Sequence, residues 1–295
     1  MTARIFQFLK STREYGVVVV LLLLHVVCIS LPGREAKLAS SNLMTNLSRL
    51  EALPKITNHT VVLAGSSITG RLLEEYFTLP DQPIHNLGLD GCGSLEALQT
   101  LLTAPQLPAV ILVELNTFKP GFEKVLEQVM DAHSPRREQA SHVLPFLRSS
   151  ERPLDVLYDF TRSFKKETSS NLAGHLEWND AIRIPHPPLV GPPPPPTKEE
   201  TAYLESARTT LTRLRQAGCK LAFVLIADSL FYDPWHDPNF ARAAAIAAPL
   251  DIPIFDLRKA TGIETLAWTD AIHLTPAAAR TMAQFIEKEI IPLAR

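Results

Sequence analysis

The chain has 295 residues, 46% of them hydrophobic and 20% charged, enough to bury a sizeable core in one large domain or one domain with an appendage. A formal net charge of −2 gives no electrostatic footprint for nucleic acid, so that class of partner is excluded. Three cysteines are too few for a disulfide framework, and no His and Cys spacing resembles a zinc motif.

The N-terminus carries Arg4, Lys10 and Arg13, followed by an apolar run from Gly16 to Leu31 that Pro32-Gly33-Arg34 ends. The run falls slightly short of the roughly 20 residues that span a bilayer, yet it is too apolar for a surface helix. A small-x-small cleavage site is poorly formed, because placing Ala39 last puts Lys37 at the other key position. Val27 stands where a lipoprotein signal at Cys28 needs a small residue. The expectation is a cytoplasmic tail over 1–15, an uncleaved transmembrane signal anchor over 16–32, and an exported domain. Arg34 and Lys37 partly balance the N-terminal charges, so orientation is only weakly set. Residues 33–58 read as a polar helical stalk with Leu38, Leu43, Leu47 and Leu50 on its apolar side. Sequons at Asn46 and Asn58 matter only in a eukaryotic secretory pathway.

From 59 to 295 strand and helix signals alternate. Continuous apolar runs at 60–64, 84–87, 109–115, 221–227 and 252–255 have the pattern of strands covered on both faces. Helical stretches fall at 68–77, 94–102, 122–130, 199–217 and 276–290. Thr197 with Glu200 forms a capping box, and Thr275 with Pro276 an N-cap followed by proline at the first helical position. This rhythm predicts an α/β fold, a flavodoxin-like doubly wound parallel sheet of five strands with right-handed crossovers. Residues 130–196 break the rhythm and read as a Pro-rich insertion, with a helix over 154–164 and a stiff exposed connection through the five prolines at 192–196. Cys92 lies in a glycine turn and Cys219 just before a strand; a bridge between them is the weaker reading.

In open parallel sheets ligands bind at the carboxyl ends of the strands. The first strand runs into Gly65-Ser66-Ser67-Ile68, a strand, tight turn and helix that lifts a serine off the strand end. The second carries Asn86-Leu87-Gly88-Leu89-Asp90-Gly91, the third Glu114-Leu115-Asn116-Thr117, and after the fifth comes Asp270-Ala271-Ile272-His273. A nucleophile, backbone donors in a glycine turn, an amide side chain and an acid/base pair are the set acyl transfer needs, with no cofactor. Ser66 or Ser67 is the expected nucleophile, His273 takes its proton, and Asp270 holds the imidazole tautomer. Beyond the fourth strand, Asp228, Trp235, His236 and Asp237 are candidates to line a pocket, with Trp235 stacking on a sugar. Glu114 reads as an acid bound for a backbone or arginine partner rather than for substrate, and Asp256 as a turn former.

These motifs resemble the SGNH, or GDSL-like, hydrolase superfamily. Gly65-Ser66-Ser67-Ile68 is similar to its first block, Asn86-x-Gly88-x-x-Gly91 to its second, and Asp270-x-x-His273 to its fifth; the similarity spans 60–128 and 218–292. The resemblance implies Ser67 as nucleophile, Gly91 as an oxyanion-hole glycine, and Asn116 as the oxyanion amide. Ser66 replaces the Asp of the first block, a variant shared with membrane-anchored members such as the D-alanyl transfer protein of teichoic-acid synthesis. The third block usually reads Gly-x-Asn-Asp, whereas Asn116 stands two positions early. The implied activity is that of a membrane-anchored serine esterase or O-acyltransferase on acyl, above all acetyl, groups of envelope or secreted carbohydrate, with a membrane acyl-donor protein as partner if it transfers. The competing expectation is a catalytically weak or inactive scaffold in a polysaccharide assembly complex.

Overall fold

The computed structural model describes residues 42–79, 82–132, 174–184, 195–226, 238–270 and 272–294, together with the isolated helical positions 16, 20 and 23. The chain divides into two compact units, residues 1–51 with 133–166 and residues 52–132 with 167–295. Of the first unit the description covers mainly α1 (Asn42–Glu51), the expected stalk helix, which buries Asn46, Leu47 and Leu50. Among the described residues no helix is long and apolar enough to cross a membrane. The apolar run at 16–31 lies outside them except for Gly16, Val20 and Leu23, and so does the expected helix at 154–164.

The second unit is built on β1 (Val61–Gly65), which runs into the short helix α2 (Ser67–Gly70). It continues through β2 (Ile84–Gly88), α3 (Ser94–Leu101), β3 (Val110–Glu114) and α4 (Glu123–Ala132). Then come β4 (Arg183–Ile184), α5 (Lys198–Gln216), β5 (Lys220–Leu225), α6 (Pro238–Ala247) and β6 (Ile254–Asp256). The chain closes with α7 (Pro276–Phe285), a π turn (Ile286–Ile290) and α8 (Ile291–Ala294). The sheet order is β2-β1-β3-β5-β6-β4. The first five strands of that order are parallel, and β4 adds an antiparallel edge through Arg183 opposite Phe255 and Ile184 opposite Ile254. The expected five-stranded parallel sheet is therefore present, with one two-residue strand added from the segment read as insertion. A run of two residues leaves no period in the sequence to find.

Both faces of the sheet are covered, which is why its parallel strands are apolar over most of their length. Val61, Leu63, Val110, Leu112, Ala222, Val224 and Phe255 share one core with Ala279, Met282, Ala283, Ile286 and Ile290 of the C-terminal helices. On the opposite face Phe223 meets Phe118 edge-to-face at 5.1 Å, and Phe118 meets Tyr203 of α5 at 5.8 Å. The strand order reverses between β1 and β3, so the crevice of the sheet opens at their carboxyl ends.

Two helices differ from expectation. The stretch 68–77 is not one helix: α2 stops at Gly70, and a separate 3₁₀ turn forms at Glu74–Tyr76. The reason is tertiary, since Asn86 Nδ2 donates to the carbonyls of Thr69 (2.9 Å) and Leu72 (2.6 Å), which a continuing helix would keep for itself. Helix α6 was not anticipated. The capping box of α5 and the Thr275 N-cap of α7 both form as the sequence predicts.

Candidate active site

Ser67, Gly91 and Asn116 follow the carboxyl ends of β1, β2 and β3, and Asp270 and His273 lie in the loop before α7. Just past β1, Ser66 caps α2 by accepting from Ile68 N, and Ser67 is the first helical residue. Its Oγ lies 2.9 Å from His273 Nε2, across 206 residues of chain. His273 Nδ1 lies 2.9 Å from Asp270 Oδ2, so the Nδ1–H tautomer donates to the acid and leaves Nε2 to accept the serine O–H. Asp270 also builds the loop that carries the imidazole: its Oδ1 accepts from the backbone N–H of Ile272 (2.8 Å) and His273 (2.7 Å). The hydrogen bond from the His273 ring, then those from the two backbone amides, hold the Asp270 carboxyl down at about 2. The imidazole is mostly covered, with 19% of its side chain exposed, whereas 55% of the Asp270 side chain faces solvent.

Two backbone donors beside the Ser67 hydroxyl turn are both unencumbered. Ser67 N starts a helix and Gly91 N sits in a left-handed turn at φ +77°, and neither N–H meets an acceptor among the described residues. Asn116 has a different partner. Its Oδ1 accepts from Ile226 N (3.0 Å) and its Nδ2 donates to Ile226 O (2.8 Å), so the amide extends the β3–β5 ladder like a further pair of backbone groups. One Nδ2 hydrogen remains beyond that pairing. Trp235, His236 and Asp228 lie outside the described residues, as does Asp237.

Glu114, the last residue of β3, is the residue whose part at the site the sequence left unread. It is 1% exposed and its carboxylate gathers five donors. Oε2 accepts from Ser66 N (2.9 Å), Thr69 N (3.0 Å) and Thr69 Oγ1 (2.6 Å), while Oε1 accepts from Ser66 Oγ (2.7 Å) and Thr117 Oγ1 (2.9 Å). The backbone partner expected of it is there, and every one of these donors belongs to the turn around Ser67 or to the turn after its own strand. An acid inside the run Val110-Ile111-Leu112-Val113-Glu114-Leu115 was the available signal. Asn86 braces the same turn from the other side through the carbonyls of Thr69 and Leu72.

No family model matches the chain, and no curated protein is significantly similar to it. Asp256, fully buried, is not a partner of His273: Arg258 grips it through Nε (2.9 Å) and Nη2 (3.0 Å), as befits a structural turn former. Cys92 and Cys219 are free buried thiols. Burial, then the nearby acids Glu96 and Asp90, pushes Cys92 up to about 12, and burial pushes Cys219 up to about 11, which makes both poor nucleophiles. Among the described residues no group of three or more His, Cys, Asp or Glu side chains is placed to hold a metal ion.

Proposed function

We propose that this chain is a membrane-anchored serine esterase or O-acyltransferase of the SGNH-like type, built on a flavodoxin-like doubly wound sheet and exported behind an N-terminal signal anchor. The observation that carries the reading is the unbroken chain of hydrogen bonds from Ser67 Oγ through His273 to Asp270 at the crevice of a parallel sheet. Ser67 Oγ attacks the acyl carbonyl carbon as its proton passes to His273 Nε2. The N–H groups of Ser67 and Gly91 stabilise the oxyanion. Collapse breaks the ester bond, His273 returns the proton to the departing alcohol, and the acyl group stays on Ser67. A second hydroxyl then gives its proton to His273 and attacks the acyl group, the bond to Ser67 breaks, and His273 returns the proton to Ser67 Oγ. Water as that hydroxyl yields a free acid; a sugar hydroxyl yields a new ester.

The substrate class is acylated carbohydrate of the envelope or a secreted polymer, with acetyl the preferred group, Trp235 and His236 near the sugar, and a membrane acyl-donor protein as partner for transfer. The second reading, a weakly active scaffold in a polysaccharide assembly complex, is favoured by Asn116, whose amide is committed to Ile226.

Labelling of the full chain in detergent with a fluorophosphonate probe, together with acetate release from an aryl acetate, separates the two. The esterase reading expects both signals, and their loss by at least about a thousandfold in Ser67→Ala and His273→Ala. A chain that neither labels nor releases acetate overturns it in favour of the scaffold.

A further inference from the structure

We propose that Glu114 is the positioning residue of the nucleophile, its buried carboxylate fixing the turn that aims Ser67 Oγ at His273 Nε2. The inference rests on the acyl-transfer reading of Ser67 and deepens it. None of the hydrogen bonds of the Glu114 carboxylate goes to Ser67 itself. The carboxylate holds the residue before Ser67 through Ser66 N and Ser66 Oγ, and the residue two beyond through Thr69 N and Thr69 Oγ1. With both flanks tied to one carboxylate, the Ser67 backbone has a single orientation, its Oγ at the imidazole and its N–H unpaired.

Room for this arrangement is made by Gly65. A Cβ there would lie 2.5 Å from Glu114 Oε2 and 2.6 Å from Glu114 Cβ, so the strand end tolerates no side chain. A buried carboxylate is costly unless its oxygens are satisfied. All five of its donors come from Ser66, Thr69 and Thr117, and the acid lies on β3 directly beside the turn that follows β1. A displacement of the order of 1 Å in a reacting atom costs about a hundredfold in rate, so a turn held this way matters to kcat more than to substrate affinity.

Glutamine can take over the hydrogen bonding. Its oxygen at the Oε2 place keeps three donors, and its NH₂ at the Oε1 place donates to the hydroxyls of Ser66 and Thr117, which also accept. Glu114→Ala cannot, and it leaves Ser66 N and Thr69 N buried without an acceptor. The test is steady-state hydrolysis of an aryl acetate by the full chain in detergent, with fluorophosphonate labelling of Ser67 and a thermal melt of each variant. Glu114→Ala is expected to lose about a hundredfold in kcat and labelling rate with KM within about threefold, while Glu114→Gln restores kcat to within about threefold of the parent. Should Glu114→Ala not fold, Ser66→Ala, which removes one donor, is expected to lose about tenfold in kcat at unchanged KM. Folded Glu114→Ala or Ser66→Ala with parental kcat overturns the inference and leaves Glu114 a purely structural group. Glutamine as slow as alanine also overturns it. If the parent chain itself neither labels nor turns over, the acyl-transfer reading has failed, and that result is distinct from either outcome in the variants.

Discussion

Asp270 shows how much one exposed side chain can be asked to do. More than half of it faces solvent, so its charge pair with His273 is screened and contributes little as a surface ion pair. Its importance is directional: it accepts from the imidazole and from two backbone amides of the same loop. The same hydrogen bonds hold the carboxyl down at about 2, below the ordinary 3.8, so it is ionised at neutral pH. A depressed pKa stabilises the fold above the unfolded value, and that contribution is lost as pH falls through the folded one. The difference in melting temperature between the parent and Asp270→Asn is therefore expected to be constant above about pH 5 and to close between about pH 5 and pH 1. In the same variant kcat for aryl acetate should fall by roughly 10²- to 10⁴-fold across neutral pH, because the amide favours the wrong imidazole tautomer. A variant with parental kcat would remove Asp270 from the mechanism.

At the scale of elements, the nucleophile turn is possible only because neighbouring segments approach without side chains. A Cβ on Gly88 would meet backbone, lying 2.7 Å from Ser66 O and 2.8 Å from Gly70 Cα. On Gly91 it would meet only Val125 Cγ1 at 3.6 Å, but that residue has φ +77°. Gly88→Ala must therefore push the Ser67 turn away from β2, with destabilisation of about 1–3 kcal/mol and loss of fluorophosphonate labelling. Gly91→Ala pays only for left-handed backbone, about 1–2 kcal/mol, and should still label. Equal labelling in the two would dismiss the close approach of β2 as a determinant of the site. The same turn marks where sequence reading stops. Five strands were legible because burial on both faces leaves a continuous apolar run, and the meeting of Ser67, His273 and Asp270 because strand and helix alternation sends the loops that carry them to one rim of the sheet. The early end of α2 was not, since it depends on Asn86 taking carbonyls from 14 and 17 residues away. Glu114 was visible as an oddity in an apolar strand, but its partners lie up to 48 residues back in the chain, and Asn116 gave no sign that Ile226 would claim its amide. Edge strand β4 offers too few residues for any period to appear.

Across the whole molecule, Ser67 follows the first strand and His273 lies in the last loop, so the proposed site exists only when the two ends of the domain are held together. The tie is the C-terminal segment. After α7 a π turn widens the helix so that Ile286, Ile290 and Ile291 all stay buried, at 1%, 0% and 0% exposure, with Ala294 behind them. Full burial of each isoleucine is worth about 1.5–3 kcal/mol, or about 4.5–9 kcal/mol for the three. That is comparable with the entire stability of an ordinary domain, about 5–15 kcal/mol. A chain terminated after Phe285 is thus expected to lose its cooperative melt, become sensitive to limited proteolysis and fail to label at Ser67, although every residue of the triad is retained. Leu293, 48% exposed in the same segment, supplies the control: Leu293→Asp should melt within about 0.5 kcal/mol of the parent and label normally. A truncated chain that still melts cooperatively and labels would mean that α7 alone fastens the His273 loop to the sheet, and that the buried isoleucines beyond it are dispensable to the site.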